Sequence, residues 1–418
     1  MNKVLVIGGG GREHALIKAL NASPQVAILH CLPGNGGILQ TAIHWPYGIE
    51  NISTKINLVV IGPEGPIVEG LADRLRKKGI SVVGPSAEAA KLESSKAFAK
   101  DILSSANIPT APYLTTTSPE VALAYIEEVG GRHKLVIKAD GLCGGKGVVV
   151  CNTQMEARAA VINIMERDAF GEAGRRVVIE KRLEGREVSL MAMVTKDRVV
   201  MLPAAEDHKA VFDGDKGPNT GGMGAYSPSP YADDDFVERV RTKIVIPVRD
   251  AMAARGTPYR GFLYIGLMVV PGEGPYVLEF NCRLGDPETQ VILPRIDEDI
   301  YPWLKGLADD ELPSDTIKVS KKHAVCVVQC ARKYPEKPET GQMIVGLEEA
   351  ALMENVTVYH AGTLLDDTTG RHSTNGGRVL GVTALGDTLE AARTQAYAAV
   401  SCISWPGEHH RTDIAARK

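Results

Sequence analysis

The sequence lacks several features that would assign it quickly to a functional class. No stretch approaches the 18 or more consecutive apolar residues of a transmembrane helix, and the apolar start at residues 1–7 is too short for a signal peptide. The net charge is only −4, so no general electrostatic attraction to nucleic acid or anionic lipid is expected. These absences predict a cytoplasmic protein with neither a membrane nor a nucleic acid as partner.

The cysteines are not spaced as metal ligands or disulfide pairs usually are. The seven cysteines are odd in number and include no CxxC pair, which argues against a disulfide framework or a structural zinc site. No internal repeat or low-complexity tract is present, and 44% hydrophobic and 23% charged residues are ordinary for a globular protein. A chain of 418 residues is then long enough for two to four domains.

The chain divides into three parts by its pattern of apolar runs. Residues 1–100 alternate short, continuously apolar strands with helical segments such as 12–21 and 67–78, which is typical of a doubly wound α/β domain with a parallel sheet. The segment 39–57 has no clear helical pattern. This first part is predicted to bind a ligand at the loops that follow its strands.

Residues 101–315 instead predict an α+β domain built from strand hairpins with intervening helices. The predicted hairpins pair 135–139 with 147–151, 177–181 with 187–194, and 261–270 with 276–281, and the predicted helices cover 153–167 and 234–254. A polar linker is expected at 308–320. A smaller C-terminal domain follows at 321–418, with strands at 324–330, 356–361 and 378–384 and a helix at 389–402.

Glycine is the abundant residue, with 43 in the chain, and many lie in clusters. The turn Gly8–Gly11 joins the first strand to the first helix, and such a turn binds anions through exposed N–H groups and the helix dipole. Glu13 stands where a dinucleotide-binding GxGxxG motif needs a small third residue, so a nicotinamide or flavin cofactor is disfavoured. A phosphate-bearing small ligand and a bare tight turn remain the two alternatives.

A second glycine cluster, residues 141–147, carries Lys146 and follows a strand that ends with Lys138. Gly147 stands where a Walker A loop needs serine or threonine, and a strand rather than a helix follows. The cluster therefore predicts a glycine hairpin that can close a cation over a triphosphate and exclude water. A solvated surface hairpin is the alternative.

Polar residues also accumulate after the strand that ends at Asn281. Residues i and i+2 share one face of a strand, so Glu279 and Asn281 converge while Phe280 points into the core, and two hard oxygens of this kind suit Mg²⁺. Arg283 offers a rigid fork to a phosphate, whereas Asp286 is explained by capping a helix that starts at Pro287. The segment 207–226 is predicted to be a long, nearly structureless functional loop.

Six blocks of sequence together resemble the phosphoribosylamine–glycine ligases, which are ATP-grasp enzymes of purine synthesis. The blocks are VLVIGGGGREHAL at 4–16, SKAFAKD at 95–101, IKADGLCGGKGVVV at 137–150, DHKAVFDGDKGPNTGGMGAYSP at 207–228, EFNCRLGDPETQ at 279–290 and TNGGRVLGVTALG at 374–386. The resemblance runs from end to end. It implies a central ATP-grasp domain with a mobile lid at about 113–186, followed by a small, barrel-sandwich-like α/β domain at the C-terminus.

The resemblance also implies a reaction and a set of residues. ATP would phosphorylate the glycine carboxylate, and the amine of 5-phosphoribosylamine would attack the resulting glycyl phosphate, with Mg²⁺ or Mn²⁺ as cofactor and a monomer or weak homodimer as the active species. The implied catalytic residues are Arg283 and Lys146, and the implied metal ligands are Glu279 and Asn281. The implied ATP contacts are Lys96, Lys138, Gly141, Gly144, Gly145, Lys146, Gly147, Glu180, Lys181, Leu183 and Glu187. The implied substrate contacts are Gly8, Gly10, Gly11, Asn35, Glu64, Asp207, Asn219, Thr220, Gly221, Gly222, Met223, Asp286, Asn375, Gly376 and Arg378.

Departures from the family pattern are few. The segment 39–57 is shorter than usual, and Ala210 stands where a basic residue is common after Asp-His-Lys. Three rival functions remain: another ATP-grasp ligase such as a biotin-dependent or purine-pathway carboxylase, a nicotinamide oxidoreductase, and a non-catalytic nucleotide sensor. Neither departure removes a predicted metal or phosphate contact, so an active enzyme is expected.

Overall fold

The structure is a computed structural model that describes residues 2–144, 146–167 and 169–416. Gly145, which belongs to the predicted ATP loop, lies outside the described residues. Within those ranges, no helix has both the length and the apolar character needed to cross a lipid bilayer.

The N-terminal sheet is parallel, as predicted, and has five strands. Their spatial order is Ile43–His44, Val26–Pro33, Asn2–Gly8, Leu58–Ile61 and Val82–Val83. The helices of this part are Gly11–Asn21, Glu64–Val68, Leu71–Lys77, Lys91–Ser94 and Lys96–Ser105. The two central strands are buried almost completely, which accounts for their continuously apolar sequences.

Two details of this part differ from the sequence pattern. The helix predicted at 67–78 is broken into two, because Gly70 adopts a left-handed φ of 77° between them. The segment 39–57 has no α-helix, as expected, but it supplies the edge strand Ile43–His44 and two short 3₁₀ turns, Ile38–Gln40 and Ile49–Asn51.

The lid sheet is an antiparallel sheet with a hydrophobic core of its own. Its strands lie in the order Tyr113–Thr116, Val177–Lys181, Leu135–Ala139 and Val148–Cys151. The helix Pro119–Val129 and the helix Gln154–Val161, with its π-helical continuation Ile162–Glu166, complete the lid. The predicted hairpin is present, since Leu135–Ala139 pairs with Val148–Cys151.

The central sheet contains the strands Val199–Met201, Arg186–Val194, Gly261–Val270 and Gly274–Asn281, all antiparallel. The predicted hairpin between 177–181 and 187–194 is wrong. Val177–Lys181 is already flanked on both sides by lid strands, so the chain crosses at 182–185 into the central sheet. The helices Asp234–Val240 and Ile246–Ala254, joined by a π-helical turn Arg241–Val245, form the predicted long helix.

The C-terminal sheet contains two strands from well before residue 321. Its order is Glu206–Asp207, Gly224–Ser227, His323–Cys330, Arg378–Gly386 and Val356–His360, and the predicted helix Leu389–Cys402 is present. The remaining elements are the helices Thr289–Ile292, Leu293–Arg295, Ile300–Asp309 and Leu347–Ala351 and the ribbon of Thr363–Leu365 with His372–Thr374. The predicted linker at 308–320 is packed rather than free, since Leu312 and Ile317 are buried.

The prediction of a structureless loop at 207–226 is also wrong. Between the two sheet strands, Ala210–Phe212 pairs with Lys216–Asn219 to form a two-stranded ribbon, which we call the substrate hairpin. Its turn is allowed by positive φ angles of 70° at Gly214 and 57° at Asp215. The first strand contributes Val211 to the core, but the second strand is polar and fully exposed, which hid the strand character of the ribbon.

Candidate active site

A cleft of about 520 Å³ lies where the N-terminal, lid and central sheets meet. It brings together residues from all six sequence blocks. The predicted residues that line it are Gly10, Glu64, Lys96, Lys138, Gly144, Gly147, Glu180, Asp207, Thr220, Gly221, Glu279, Asn281, Arg283, Asp286 and Arg378.

Lys96 enters the cleft from the first residue of a helix. Ser95 caps this helix by accepting a hydrogen bond from the Phe98 N–H, and the Ala97 N–H donates to the Asp140 carboxylate at 2.7 Å. Lys96 Nζ itself donates to the Gly141 carbonyl at 3.1 Å. Burial lowers the pKa of Lys96. The start of this helix is thereby fixed against the base of the glycine hairpin.

Lys138 shares one buried carboxylate with a second lysine. Its Nζ lies 2.9 Å from Glu180 Oε1, and Lys100 Nζ lies 3.2 Å from the same atom. Burial lowers the pKa of Lys100 to about 8, an effect that the Glu180 charge only partly opposes. Sequence reasoning missed Lys100, although its position four residues after Lys96 placed both lysines on one helix face.

The glycine hairpin presents a small surface to the cleft. Gly144 has a φ of 55°, and a Cβ atom on Gly147 would lie 2.7 Å from Cys143 Cβ, so a side chain at either position would be strained. Lys146 is exposed and, like Gly141, does not line the cleft in this conformation.

Glu279 and Asn281 face the cleft from one side of a strand, while Phe280 is buried as predicted. Burial would raise the pKa of Glu279, but Lys209, Lys138, Lys96 and Arg283 lower it overall. The Asn281 amide nitrogen donates to the Phe280 carbonyl at 3.0 Å, which leaves the amide oxygen available to a cation.

Arg283 is held between two acidic side chains. Its guanidinium lies 3.2 Å from Glu64 Oε2 and 3.2 Å from Glu93 Oε1. Burial opposes its charge, yet the carboxylates of Glu93 and Glu64 raise the pKa of Arg283 above its usual value. Glu93 in turn accepts the Cys282 N–H at 2.6 Å. The fork is thus fixed in direction and permanently charged.

Lys209 is a second cation that the sequence-based site omitted. Its Nζ lies 3.0 Å from Glu187 Oε2 and 3.9 Å from Glu279 Oε1. Glu187 raises the pKa of Lys209 well above its usual value. Glu187, Lys181 and Leu183 do not line the cleft, although they lie at the crossing from the lid to the central sheet. Their expected ATP contacts therefore remain predictions.

A second cavity of about 340 Å³ adjoins the cleft and shares Gly9, Gly10, Asp286 and Arg378 with it. Asn35 and Asn375 line only this cavity. Arg378 Nη1 donates to the carbonyls of Gly221 at 2.6 Å and Asp286 at 2.7 Å, and therefore lies at the junction of the two spaces.

Asp286 does not cap a helix, so that interpretation is wrong. The helix begins at Thr289, and the Asp286 carboxylate instead accepts from Gln290 at 2.8 Å and lies 3.3 Å from Arg378. The capping prediction failed because the Asp286 carboxylate instead forms an ion pair with Arg378, which is distant in sequence.

The turn Gly8–Gly11 is shaped by the side chain of Glu13. Glu13 accepts the Gly10 N–H at 2.6 Å and pairs with Arg12 at 2.6 Å. A Cβ atom on Gly8 would lie 2.5 Å from Glu13 Cγ. The position that GxGxxG reserves for a third glycine thus holds a carboxylate that caps the turn. Gly8 and Gly11 stand behind the two cavities rather than lining them.

Asn35 uses all of its hydrogen-bonding capacity on the backbone. Its Nδ2 donates to the carbonyls of Gly9 and His360, and its Oδ1 accepts from Gly37 and Ile38. The predicted substrate contact through this side chain gains no support, because the amide builds the cavity wall instead.

The residues around the substrate hairpin divide between cleft and core. Asp207, Thr220 and Gly221 line the cleft, and burial together with the Glu288 charge raises the pKa of Asp207. Met223 is fully buried and touches Cys330, so it packs in the core. The other predicted contacts that line neither cavity are Asn219, Gly222 and Gly376.

Several cleft residues were absent from the sequence-based site. Besides Lys100 and Lys209, the charged ones are Arg12, Glu13, Glu93 and Glu288, and Tyr264 adds a phenol ring. Glu288 lies within the RLGDPETQ block and Lys209 within the DHK block, so the blocks themselves carried the signal. Tyr264 lies inside an apolar strand, where nothing in the sequence distinguishes it from a core residue.

Family models and solved structures agree with this arrangement. The models described as the N, ATP-grasp (A) and C domains of phosphoribosylglycinamide synthetase match residues 2–93, 94–289 and 324–417. The biotin carboxylase domain of 2-oxoglutarate carboxylase from Hydrogenobacter thermophilus, solved with MgADP, is 17% identical, and its TM-score is 0.75 over 98% of this chain and 91% of that one. The likeness to this carboxylase shows the fold alone. The fold and the cleft define an ATP-grasp enzyme.

Closer relatives narrow the class. Phosphoribosylamine–glycine ligase of Rhodopirellula baltica is 45% identical over 99% of this chain and 97% of its own length. The crystal structure of phosphoribosylamine–glycine ligase from Thermotoga maritima is 34% identical, and its TM-score is 0.84 over 99% of this chain and all of that one. The chain belongs to the phosphoribosylamine–glycine ligase family, the ATP-grasp ligases of purine biosynthesis.

Proposed function

We propose that the chain ligates glycine to 5-phosphoribosylamine at the expense of ATP, giving glycinamide ribonucleotide, ADP and phosphate. The observation that carries the proposal is the meeting of Lys96, Lys138, Glu279 and Arg283 in one cleft that opens into a second cavity. The cleft would hold ATP and glycine, and the second cavity would hold phosphoribosylamine. Two adjoining spaces allow one substrate to be activated before the other attacks it.

Activation requires phosphoryl transfer, for which a protein mainly supplies positioning and positive charge. Lys96 and Lys138 would hold the ATP phosphates, and Arg283 would stabilise the charge on the transferred phosphoryl group. Because Glu64 and Glu93 fix its guanidinium, little reorganisation is needed during the reaction. The glycine carboxylate gains a leaving group as glycyl phosphate, and the second substrate's amine then displaces phosphate.

The residues present fit a divalent cation shared with ATP. Glu279 and Asn281 supply two hard oxygens on one face, and no group of three or more His, Cys, Asp or Glu in the described parts of the chain could hold a metal unaided. Phosphate oxygens and water would complete the shell of Mg²⁺ or Mn²⁺. When bound, the ion would neutralise charge on the phosphates. The proposed active form is a monomer or weak homodimer in the cytoplasm.

The glycine hairpin would close over the triphosphate after it binds. We propose domains at 1–100, 101–315 and 321–418, with the lid at about 113–186 hinged at residues 180–183. Lys146 is exposed in the open conformation and would reach the phosphates only on closure. Exclusion of water protects an acyl phosphate from hydrolysis. Backbone groups of residues 180–183 would hold adenine, and Glu187 would hold the ribose.

The test is a substrate comparison with the full chain. ATP, glycine and phosphoribosylamine together should release ADP and form glycinamide ribonucleotide, whereas ATP with bicarbonate should release none above background. ADP release with bicarbonate, or none with glycine and phosphoribosylamine, would overturn the proposal in favour of a carboxylase or a nucleotide sensor respectively.

A further inference from the structure

The C-terminal tail, defined as residues 409–416, lies against the substrate hairpin although about 200 residues separate them in sequence. Arg411 of the tail is fully buried and donates to the Ala210 carbonyl at 3.0 Å. The same guanidinium pairs in two-pronged fashion with Asp413, with both distances 2.7 Å, and reaches Asp215 at 3.0 Å. One buried cation thus joins the tail to the start of the first strand, at Ala210, and to the turn, at Asp215.

The turn of the hairpin is held by further tail contacts. The Thr412 N–H donates to Asp213 Oδ1 at 2.9 Å, and the Thr412 hydroxyl donates to the second carboxylate oxygen. The Gly214 N–H donates to Asp413 Oδ2 at 2.8 Å. These bonds are reciprocal, since each partner supplies both donors and acceptors. They restrain the turn in direction as well as in position.

Both ends of the hairpin enter the cleft. Lys209 precedes its first strand, and Thr220 and Gly221 follow its second strand; all three line the cleft wall. Thr220 donates both its N–H and its hydroxyl to the Lys209 carbonyl at 2.8 Å, which closes the hairpin at its base. Any tilt of the ribbon would therefore move these three residues together.

The hairpin has little stability of its own. Its second strand, Lys216–Asn219, is exposed at all four residues, and two-stranded ribbons are marginal in water without further packing. Val211 of the first strand is buried in the core, and the tail holds the turn and the Ala210 carbonyl through polar contacts.

We propose that the C-terminal tail is a positioning element for glycine binding, acting through Asp213 and Thr412 to hold the hairpin so that Lys209, Thr220 and Gly221 present a preformed wall. This inference rests on the proposed function, in which this wall receives glycine. Neither Asp213 nor Thr412 lines the cleft, so both act through the hairpin. Without the tail contacts, binding of glycine would have to order the ribbon, and that cost would fall on glycine affinity.

The test uses Asp213→Ala and Thr412→Val in the full chain, with KM determined separately for glycine and for ATP. Asp213→Ala removes both bonds to Thr412 and should raise the KM for glycine about fivefold to tenfold, whereas Thr412→Val keeps the backbone N–H bond and should raise it about twofold to fivefold. The KM for ATP should change less than twofold in each variant, and the double variant should resemble Asp213→Ala. Asp366→Ala is the matched control, since Asp366 accepts the Thr368 N–H at 2.9 Å in a different turn and should leave both constants unchanged.

Two outcomes would overturn the inference: an unchanged KM for glycine in both variants, or parallel increases in both KM values together with a lowered melting temperature, which would indicate general damage. Arg411 is unsuitable as the first variant because a buried charge removed from three partners threatens folding. Failure of the proposed function is distinguishable, because the unmodified chain would then show no glycine-dependent ADP release at all.

Discussion

The two cavities of the site are built on opposite principles. The cleft is lined by charged side chains that face one another across open space, such as Lys138, Glu279 and Arg283. The second cavity is lined largely by glycine and other backbone groups, with its polar side chains engaged from behind. Asn35, for example, makes all of its side-chain hydrogen bonds to backbone groups of the cavity wall.

This difference predicts which substitutions impair the reaction and which impair folding. In the cleft, Glu279 faces Lys209 at 3.9 Å, beyond hydrogen-bond distance, so removal of this carboxylate should impair the reaction more than the fold. Around the second cavity, removal of a polar side chain leaves buried backbone groups unsatisfied, so the fold suffers first. Substitutions in the two regions should therefore have opposite signatures.

The largest effect is expected for Glu279→Ala. Loss of the carboxylate removes one of two cation ligands and the charge that faces four basic groups, so kcat should fall by at least about 10³-fold. Thermal melting should show a folded protein. The rate is measured as ADP release with all three substrates present.

Glu273→Ala is the control for Glu279→Ala. Glu273 lies in the exposed turn before the same strand and accepts only the Tyr276 hydroxyl, at 2.6 Å. It should retain full activity. Turnover near the unmodified rate in the Glu279 variant would remove this carboxylate from the proposed mechanism.

How far the sequence predicted the site follows from the same comparison. The sequence predicted the cleft residues Glu279, Asn281 and Arg283 because carboxylate, amide and guanidinium groups are typical of metal and phosphate binding. Their spacing also places all three at or just beyond the end of one strand. Asn35 does line the second cavity, but only the fold shows that its amide is saturated by backbone groups, and its contact with a substrate stays a prediction. Lys100 was missed because its contact with Glu180 depends on the packing of a helix against the lid.

The fold was predictable to a similar extent. Continuous apolar runs gave the parallel N-terminal strands, and alternation with helices gave their class. The pairing of Val177–Lys181 was not predictable from adjacency, since a short crossing and a tight turn look alike in sequence. The exposed strand Lys216–Asn219 carries no hydrophobic pattern at all, which is why the substrate hairpin was taken as a loop.

Asn35→Ala should show the opposite signature to Glu279→Ala. Four hydrogen bonds to buried backbone are lost, so the free energy of unfolding should fall by about 3 kcal/mol. Urea denaturation followed by circular dichroism measures this change. Asn375→Ala, in the exposed part of the same cavity, should cost less than about 1 kcal/mol. Equal stabilities for the two variants would contradict the structural assignment of Asn35.

The second cavity should also be sensitive to acid. Burial lowers the pKa of His14 to about 3 and that of His360 to about 2, with Lys18 adding to both shifts and His372 to the second. Both imidazoles stay neutral in the folded protein, whereas they titrate near 6.5 when unfolded. The unfolded state therefore binds more protons below pH 6.5, and stability falls as the pH falls.

Between pH 7 and pH 5.5, this pair should remove about 2 kcal/mol from the free energy of unfolding. His14→Asn should lose roughly half of that dependence, as measured by urea titrations at both pH values. His44→Asn, in the exposed edge strand, provides the control and should keep the full dependence. A His14 variant with an unaltered pH dependence would show that the buried imidazole does not couple folding to protons.

The smallest effect is expected for Lys146→Ala, which probes the cleft from its open side. The Lys146 side chain is exposed and does not line the cleft, so its truncation should leave the free energy of unfolding unchanged. If the glycine hairpin brings this cation to the phosphates on closure, kcat/KM for ATP should fall about tenfold, or about 1.4 kcal/mol, while the KM for glycine stays within twofold. Lys196→Ala, an exposed lysine in a tight turn of the central sheet, should change neither constant. A kcat/KM for ATP equal to that of the unmodified chain would mean that Lys146 does not contact the phosphates. The positive charge that binds ATP would then come only from the residues that already line the cleft.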